Sequence, residues 1–162
     1  MMKKSMTIQI IFIFLIIILL TSCFASKTAV ENQIKDGDFQ AVISIDKVDY
    51  EMSEDIKVNG YLLYLGELSN ILVHSSKISE LRVFDKTGNI IFSEGKNDIS
   101  LQTEVNKGES IKINYSETLT KLNILEPGKY EIVISFEFYI NDKSEKILLL
   151  EPKLEINIEE DH

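Results

Sequence analysis

The chain has 162 residues, with 17 basic and 26 acidic side chains and a formal net charge of −9. That length suits one domain and is short for two, and the acidic balance repels phosphate backbones, so no nucleic-acid partner is expected. Two histidines and one cysteine are too few for the common zinc ligand sets, while an apolar content rich in isoleucine and leucine without tryptophan favours a β-sheet core over a helical bundle.

In chain order, Lys3 and Lys4 precede an apolar run from Ile8 to Leu20, which Thr21-Ser22-Cys23 closes. A basic start, a short apolar stretch and small residues before a cleavage point form the pattern of an export signal. The run, interrupted by Gln9, is shorter than the roughly 20 residues a spanning helix needs. Leu20-Thr21-Ser22-Cys23 resembles the bacterial lipobox, which implies cleavage between Ser22 and Cys23 and acylation of Cys23 by fatty acyl chains such as palmitate. Cys23 has no disulfide partner anywhere in the sequence, and acylation would remove a thiol that an oxidising compartment otherwise leaves exposed. The expectation is a signal-peptide helix over 1–22, a lipidated N-terminus and linker over 23–38, and a single domain over 39–162. The membrane is then a partner through acylated Cys23 at the extracytoplasmic face, and removal of Lys3 and Lys4 shifts the net charge from −9 to −11.

Phe24 to Asp38 shows no sustained period and predicts a flexible tether, with a span of about 20 Å by the square-root rule for linkers. From Phe39 onward the pattern alternates with period two, the mark of half-buried strands. Tyr130, Ile132, Ile134, Phe136, Phe138 and Ile140 fall on one side of an extended chain, with Glu131, Ser135 and Glu137 on the other. Ile111, Ile113 and Tyr115 repeat the pattern, as do Leu154, Ile156 and Ile158. Strands are predicted near 39–46, 56–65, 70–74, 80–85, 89–93, 99–104, 109–115, 129–140, 145–150 and 153–159, with 116–125 as a helical turn or loop. Asp85-Lys86-Thr87-Gly88-Asn89, Asn106-Lys107-Gly108, Pro127-Gly128 and Asn141-Asp142-Lys143 supply turns between them. Many short strands without βαβ units argue an all-β, antiparallel, immunoglobulin-like sandwich.

Catalytic patterns are not found. His74 precedes Ser75 and Ser76, but neighbours on a strand face opposite sides and no nucleophile elbow is present, so His74 reads as a strand residue. Asp36/Asp38, Glu54/Asp55 and Glu159/Glu160/Asp161 could lend oxygens to calcium, yet none has EF-hand spacing. The glycines are isolated and form no phosphate cradle. Tyr61, Tyr64, Tyr115, Tyr130 and Tyr139 could line a carbohydrate platform, although Tyr115 and Tyr130 fall on core-facing registers. No catalytic residue, metal or cofactor is predicted, and the chain is not expected to be an enzyme.

From Val42 to Ile158 the order of landmarks resembles the BsuPI-type intracellular proteinase inhibitors. These landmarks are Ile43-Ser44-Ile45-Asp46-Lys47-Val48, Ser79-Glu80-Leu81-Arg82-Val83-Phe84-Asp85, Ile91-Phe92-Ser93, Lys107-Gly108-Glu109-Ser110 and Glu126-Pro127-Gly128-Lys129-Tyr130-Glu131-Ile132. The resemblance implies a small immunoglobulin-like domain. The chain departs from it at Ser75-Ser76-Lys77-Ile78-Ser79, which lacks that family's Gly-Gln and aromatic, and at Ser116 to Leu119, where the family places a tryptophan. The resulting expectation is a membrane-anchored lipoprotein with a non-enzymatic binding domain for a protein or envelope partner. The alternative is a cell-surface proteinase inhibitor.

Overall fold

The computed structural model describes residues 29–115, 126–140 and 147–161. Twelve strands run through them: β1 Val30–Asp36, β2 Phe39–Ile45, β3 Asp49–Glu51, β4 Val58–Tyr64, β5 Asn70–His74, β6 Ser79–Asp85, β7 Ile90–Ser93, β8 Leu101–Val105, β9 Ser110–Asn114, β10 Gly128–Ile140, β11 Ile147–Leu150 and β12 Lys153–Glu159. The fold is the expected all-β sandwich. A smaller sheet has the order β1-β2-β4-β9, and the remaining strands gather around β10.

β10 is long enough to serve as a spine with two strands end to end along each edge. On one edge β12 and β11 keep a single register, from Gly128↔Ile158 through Phe136↔Leu150. Pro152 lies between them and lacks an N–H to donate, so the ladder is interrupted there without being shifted. The N–H of Ile134 still donates to the Pro152 carbonyl at 3.2 Å. On the other edge β6 pairs from Tyr130↔Asp85 to Phe136↔Ser79, and β5 follows at Tyr139↔Val73 and Ile140↔Leu72. β7 extends β6, β8 extends β5, and β3 adds to β12 as a parallel strand.

Alternation places the core between the sheets. Phe39, Ala41, Ile43 and Ile45 of β2 meet Ile132, Ile134, Phe136 and Phe138 of β10, all of them buried. The ring of Phe39 lies 5.0 Å from that of Tyr64 and 4.9 Å from that of Phe138, an aromatic bridge from one sheet to the other, and such pairs add about 0.5–1.5 kcal/mol each beyond area burial. Gly60 on β4 permits the closest approach: a Cβ there would stand 2.6 Å from Ile134 Cδ1 and 3.2 Å from the Val42 carbonyl oxygen. One buried polar pair spans the layers, with the hydroxyls of Ser79 and Tyr115 at 2.7 Å. Burial pushes the Tyr115 phenol up to about 12.

The linker expected over 23–38 is corrected from Val30 onward. Val30–Asp36 is β1, paired along its whole length with β2 from Val30↔Ile45 to Asp36↔Phe39, so the domain reaches back at least to Val30 and does not start at Phe39. Gly37, with φ of 56°, makes the tight turn between the two strands. β1 is held by backbone pairing and by Asn32, whose amide donates to the Lys153 carbonyl at 2.8 Å, while most of its side chains are exposed. The short parallel strand β3 is also new. The expected signal-peptide helix, Ser22, Cys23, residues 116–125 and the turn at 141–143 lie outside the described residues. Among those described, no helix is long and apolar enough to cross a membrane.

Candidate functional site

The outer face of the large sheet gathers polar chemistry that alternation alone does not reveal. Arg82 on β6 is the only arginine in the chain. Register sets Arg82 opposite Val133, one step from Ser135 on β10, and Ser135 lies across from Glu151 in the continued β10–β11–β12 pairing. Arg82 Nη2 donates to both Ser135 Oγ and Glu151 Oε1, and Ser135 Oγ donates to Glu151 Oε1 at 2.5 Å. The Arg82 guanidinium also lies over the Phe84 ring, 5.7 Å from its centroid, so one side chain combines ion pairing with stacking.

Two neighbouring depressions share Arg82, Leu149 and Glu151. One, of about 460 Å3, is completed by Glu80, Ser135, Glu137 and Ile147. The other, of about 420 Å3, is completed by Ile34 with Phe84, Glu131, Val133 and Lys153. Charge pairs border them: Lys96 reaches Glu137 at 2.9 Å and Lys153 reaches Glu131 at 2.8 Å, and the Glu131 hydrogen bond raises the Lys153 ammonium above its ordinary range. A third depression, of about 390 Å3, lies between residues 94–100 and β10, with Val73, Lys96, Asp98, Ile99, Glu137 and Tyr139 in its walls. All three are open depressions that mix charged, polar and apolar side chains.

The residues singled out from sequence are dispersed. His74 ends β5 with Nδ1 2.6 Å from the Ser75 carbonyl and Nε2 2.9 Å from Thr103 Oγ1. Ser75 Oγ donates to the Lys77 carbonyl at 2.9 Å, and Ser76 Oγ accepts from the Asn97 N–H at 3.1 Å. Both ring nitrogens of His74 therefore face groups other than these serine hydroxyls, and neither serine is paired with the imidazole as nucleophile with base. Glu54 meets Lys47 and the Glu51 N–H, and Asp161 accepts from the Ser53 N–H at 3.0 Å. Among the described residues no three His, Cys, Asp or Glu side chains are placed to hold a metal.

The tyrosines also separate. Tyr64 and Tyr115 are buried; Tyr130 is half-buried, and its hydroxyl donates to the Glu126 carbonyl at 2.7 Å. Burial raises the Tyr130 phenol. Tyr61 and Tyr139 lie in different sheets, so no aromatic platform forms. Asp85 organises the β6–β7 hairpin by accepting from the N–H and hydroxyl of Thr87 and from the N–H and amide of Asn89. Hydrogen bonds from the Thr87 and Asn89 side chains hold its carboxyl well below the usual range.

No family model matches the chain, and no curated protein sequence matches it significantly. Among solved structures, it is similar to a β-glucosidase from Listeria innocua in complex with isofagomine, at 13% identity and a TM-score of 0.43 over 76% of this chain. It spans 16% of that enzyme's length. The C-terminal domain of wzt is similar at 11% identity and a TM-score of 0.42, covering 83% of this chain and 80% of that one. The ApaA protein of Bordetella pertussis is similar at 6% identity and a TM-score of 0.39, covering 81% and 90%. At these scores none of them lends this chain an activity.

Proposed function

We propose that the chain is a membrane-anchored extracytoplasmic lipoprotein whose non-enzymatic sandwich binds a protein or another envelope component. The observation that carries the binding reading is the outer face of the large sheet, where the Arg82–Ser135–Glu151 cluster joins two depressions beside exposed Leu149. Leu20-Thr21-Ser22-Cys23 supports the anchor. Six residues separate Cys23 from Val30, so at roughly 3.6 Å per residue the anchor point lies within about 25 Å of β1. One acyl chain binds marginally and two hold firmly, at about 0.8 kcal/mol per buried CH2.

Intact mass and detergent partitioning of the full chain beside Cys23→Ala test the anchor. The expected mass fits cleavage before Cys23 plus acyl chains, with the protein in the detergent phase and the variant unacylated. An uncleaved or unacylated wild type overturns it.

One feature favours a second reading, a surface proteinase inhibitor. Ile99 is 57% exposed on the segment 94–100, which Lys96–Glu137 and the Asn97–Ser76 bonds tie down, as an inhibitory loop requires. Inhibition assays against secreted and membrane proteases test it: loss of inhibition in Ile99→Asp supports the reading, and no inhibition by the folded wild type ends it.

A further inference from the structure

At the end of the large sheet away from the Asp85 hairpin, the outer face carries an apolar row that the core does not use. Register places Tyr139 between Ile147 of β11 and Val73 of β5, cross-strand partners about 5 Å apart at Cβ in such ladders. Leu149 and Ile71 lie two residues along those flanking strands, hence on the same face. Ile71, Tyr139, Ile147 and Leu149 are 41, 39, 44 and 53% exposed. Apolar side chains exposed side by side and rimmed by polar groups are the kind of surface at which proteins make contacts.

The rim fixes the sign of the partner. Among the described residues its cations, Lys96, Arg82 and Lys153, are already matched by Glu137, Glu151 and Glu131. Glu80, exposed Asp98 and exposed Glu104, the last opposite Ile71 in the β5–β8 ladder, add three carboxylates. A second copy docked through the same face would set the same carboxylates against these, and like charges across an interface are strongly disfavoured. Anionic headgroups are disfavoured for the same reason.

We infer that this row is the docking surface for a segment of another protein in which apolar side chains are flanked by lysine or arginine. The inference rests on the reading of the sandwich as a binding module and is independent of the lipid anchor. The apolar side chains supply the buried contact, and the acidic rim sets orientation and excludes acidic competitors.

The test puts p-benzoylphenylalanine in place of Leu149, and separately in place of Ile147, in the full chain produced in its own host. Ile90, 55% exposed in the hairpin at the opposite end, is the control position. After irradiation, the cross-linked peptide is identified by mass spectrometry. The expected result is one adduct from both patch positions, to an apolar segment of a different protein bordered by lysine or arginine. Combining Asp98→Lys with Glu104→Lys should lower its yield roughly tenfold through like-charge repulsion. An adduct to a second copy, to residues 1–28 of the same chain, to lipid or to an acidic segment overturns the inference. An adduct from Ile90 alone overturns it while leaving the binding-module reading in place, and no adduct from any position in folded protein overturns both.

Discussion

Leu148 and Leu149 are neighbours on β11, yet one belongs to the core and the other to the surface: Leu148 is 6% exposed and Leu149 is 53% exposed. The same division runs along β10, where Ile132, Ile134, Phe136 and Phe138 face the smaller sheet and Glu131, Glu137 and Tyr139 face outward. The inner face holds the protein together by packing. The outer face carries an arginine-centred cluster and an apolar row that lie outside the core between the sheets, and it is the face proposed for binding.

Substitutions on the inner face should cost most. Phe136→Ala is expected to lower the unfolding free energy by about 3–5 kcal/mol in urea titration, the range for truncating a buried aromatic. Gly60→Val should cost about 1–3 kcal/mol by overpacking, because its side chain would enter the space of Ile134 and press on the Val42 backbone.

Tyr115→Phe should cost about 1 kcal/mol at neutral pH, since it leaves the buried Ser79 hydroxyl without its partner. It also sharpens the comparison through pH. The folded state keeps the Tyr115 proton up to about 12, whereas an unfolded phenol releases it near 10. The stability tied to that proton is complete below about pH 10 and is lost as pH rises toward the folded value; alkaline unfolding followed by circular dichroism should be shallower in Tyr115→Phe.

On the outer face, Arg82→Met should cost about 1 kcal/mol or less, because its ion pair with Glu151 is partly solvated. A loss as large as that of Phe136→Ala would make the Arg82 cluster part of the core and break the division between the faces.

The period-two pattern from Tyr130 to Ile140 made β10 and its inner face legible, and likewise β9 and β12, because apolar residues at every second position suit only a half-buried strand. β1 was not legible, since its seven residues bury little and are held by backbone pairing. The signal that could have found it was Asp36-Gly37-Asp38, a hairpin turn followed directly by the apolar start of β2. β3 is three residues long and pairs with residues more than a hundred positions away, beyond the reach of any local pattern. Ser135 sits at a position alternation reads as wet, yet it is buried, because Arg82 of β6 and Glu151, between β11 and β12, close over it from segments apart in sequence. The apolar row escaped notice for the same reason: Val73, Tyr139 and Ile147 become neighbours only once the registers of β5, β10 and β11 are set.

The most direct measurement is equilibrium unfolding of Leu148→Asp beside Leu149→Asp. The account predicts that Leu149→Asp stays within about 0.5 kcal/mol of the wild type, as surface substitutions do, while Leu148→Asp buries an unpaired carboxylate and loses the cooperative transition or most of its free energy. Equal losses from the two neighbours would contradict it, because Leu149 would then be core and the outer face would not be free to bind.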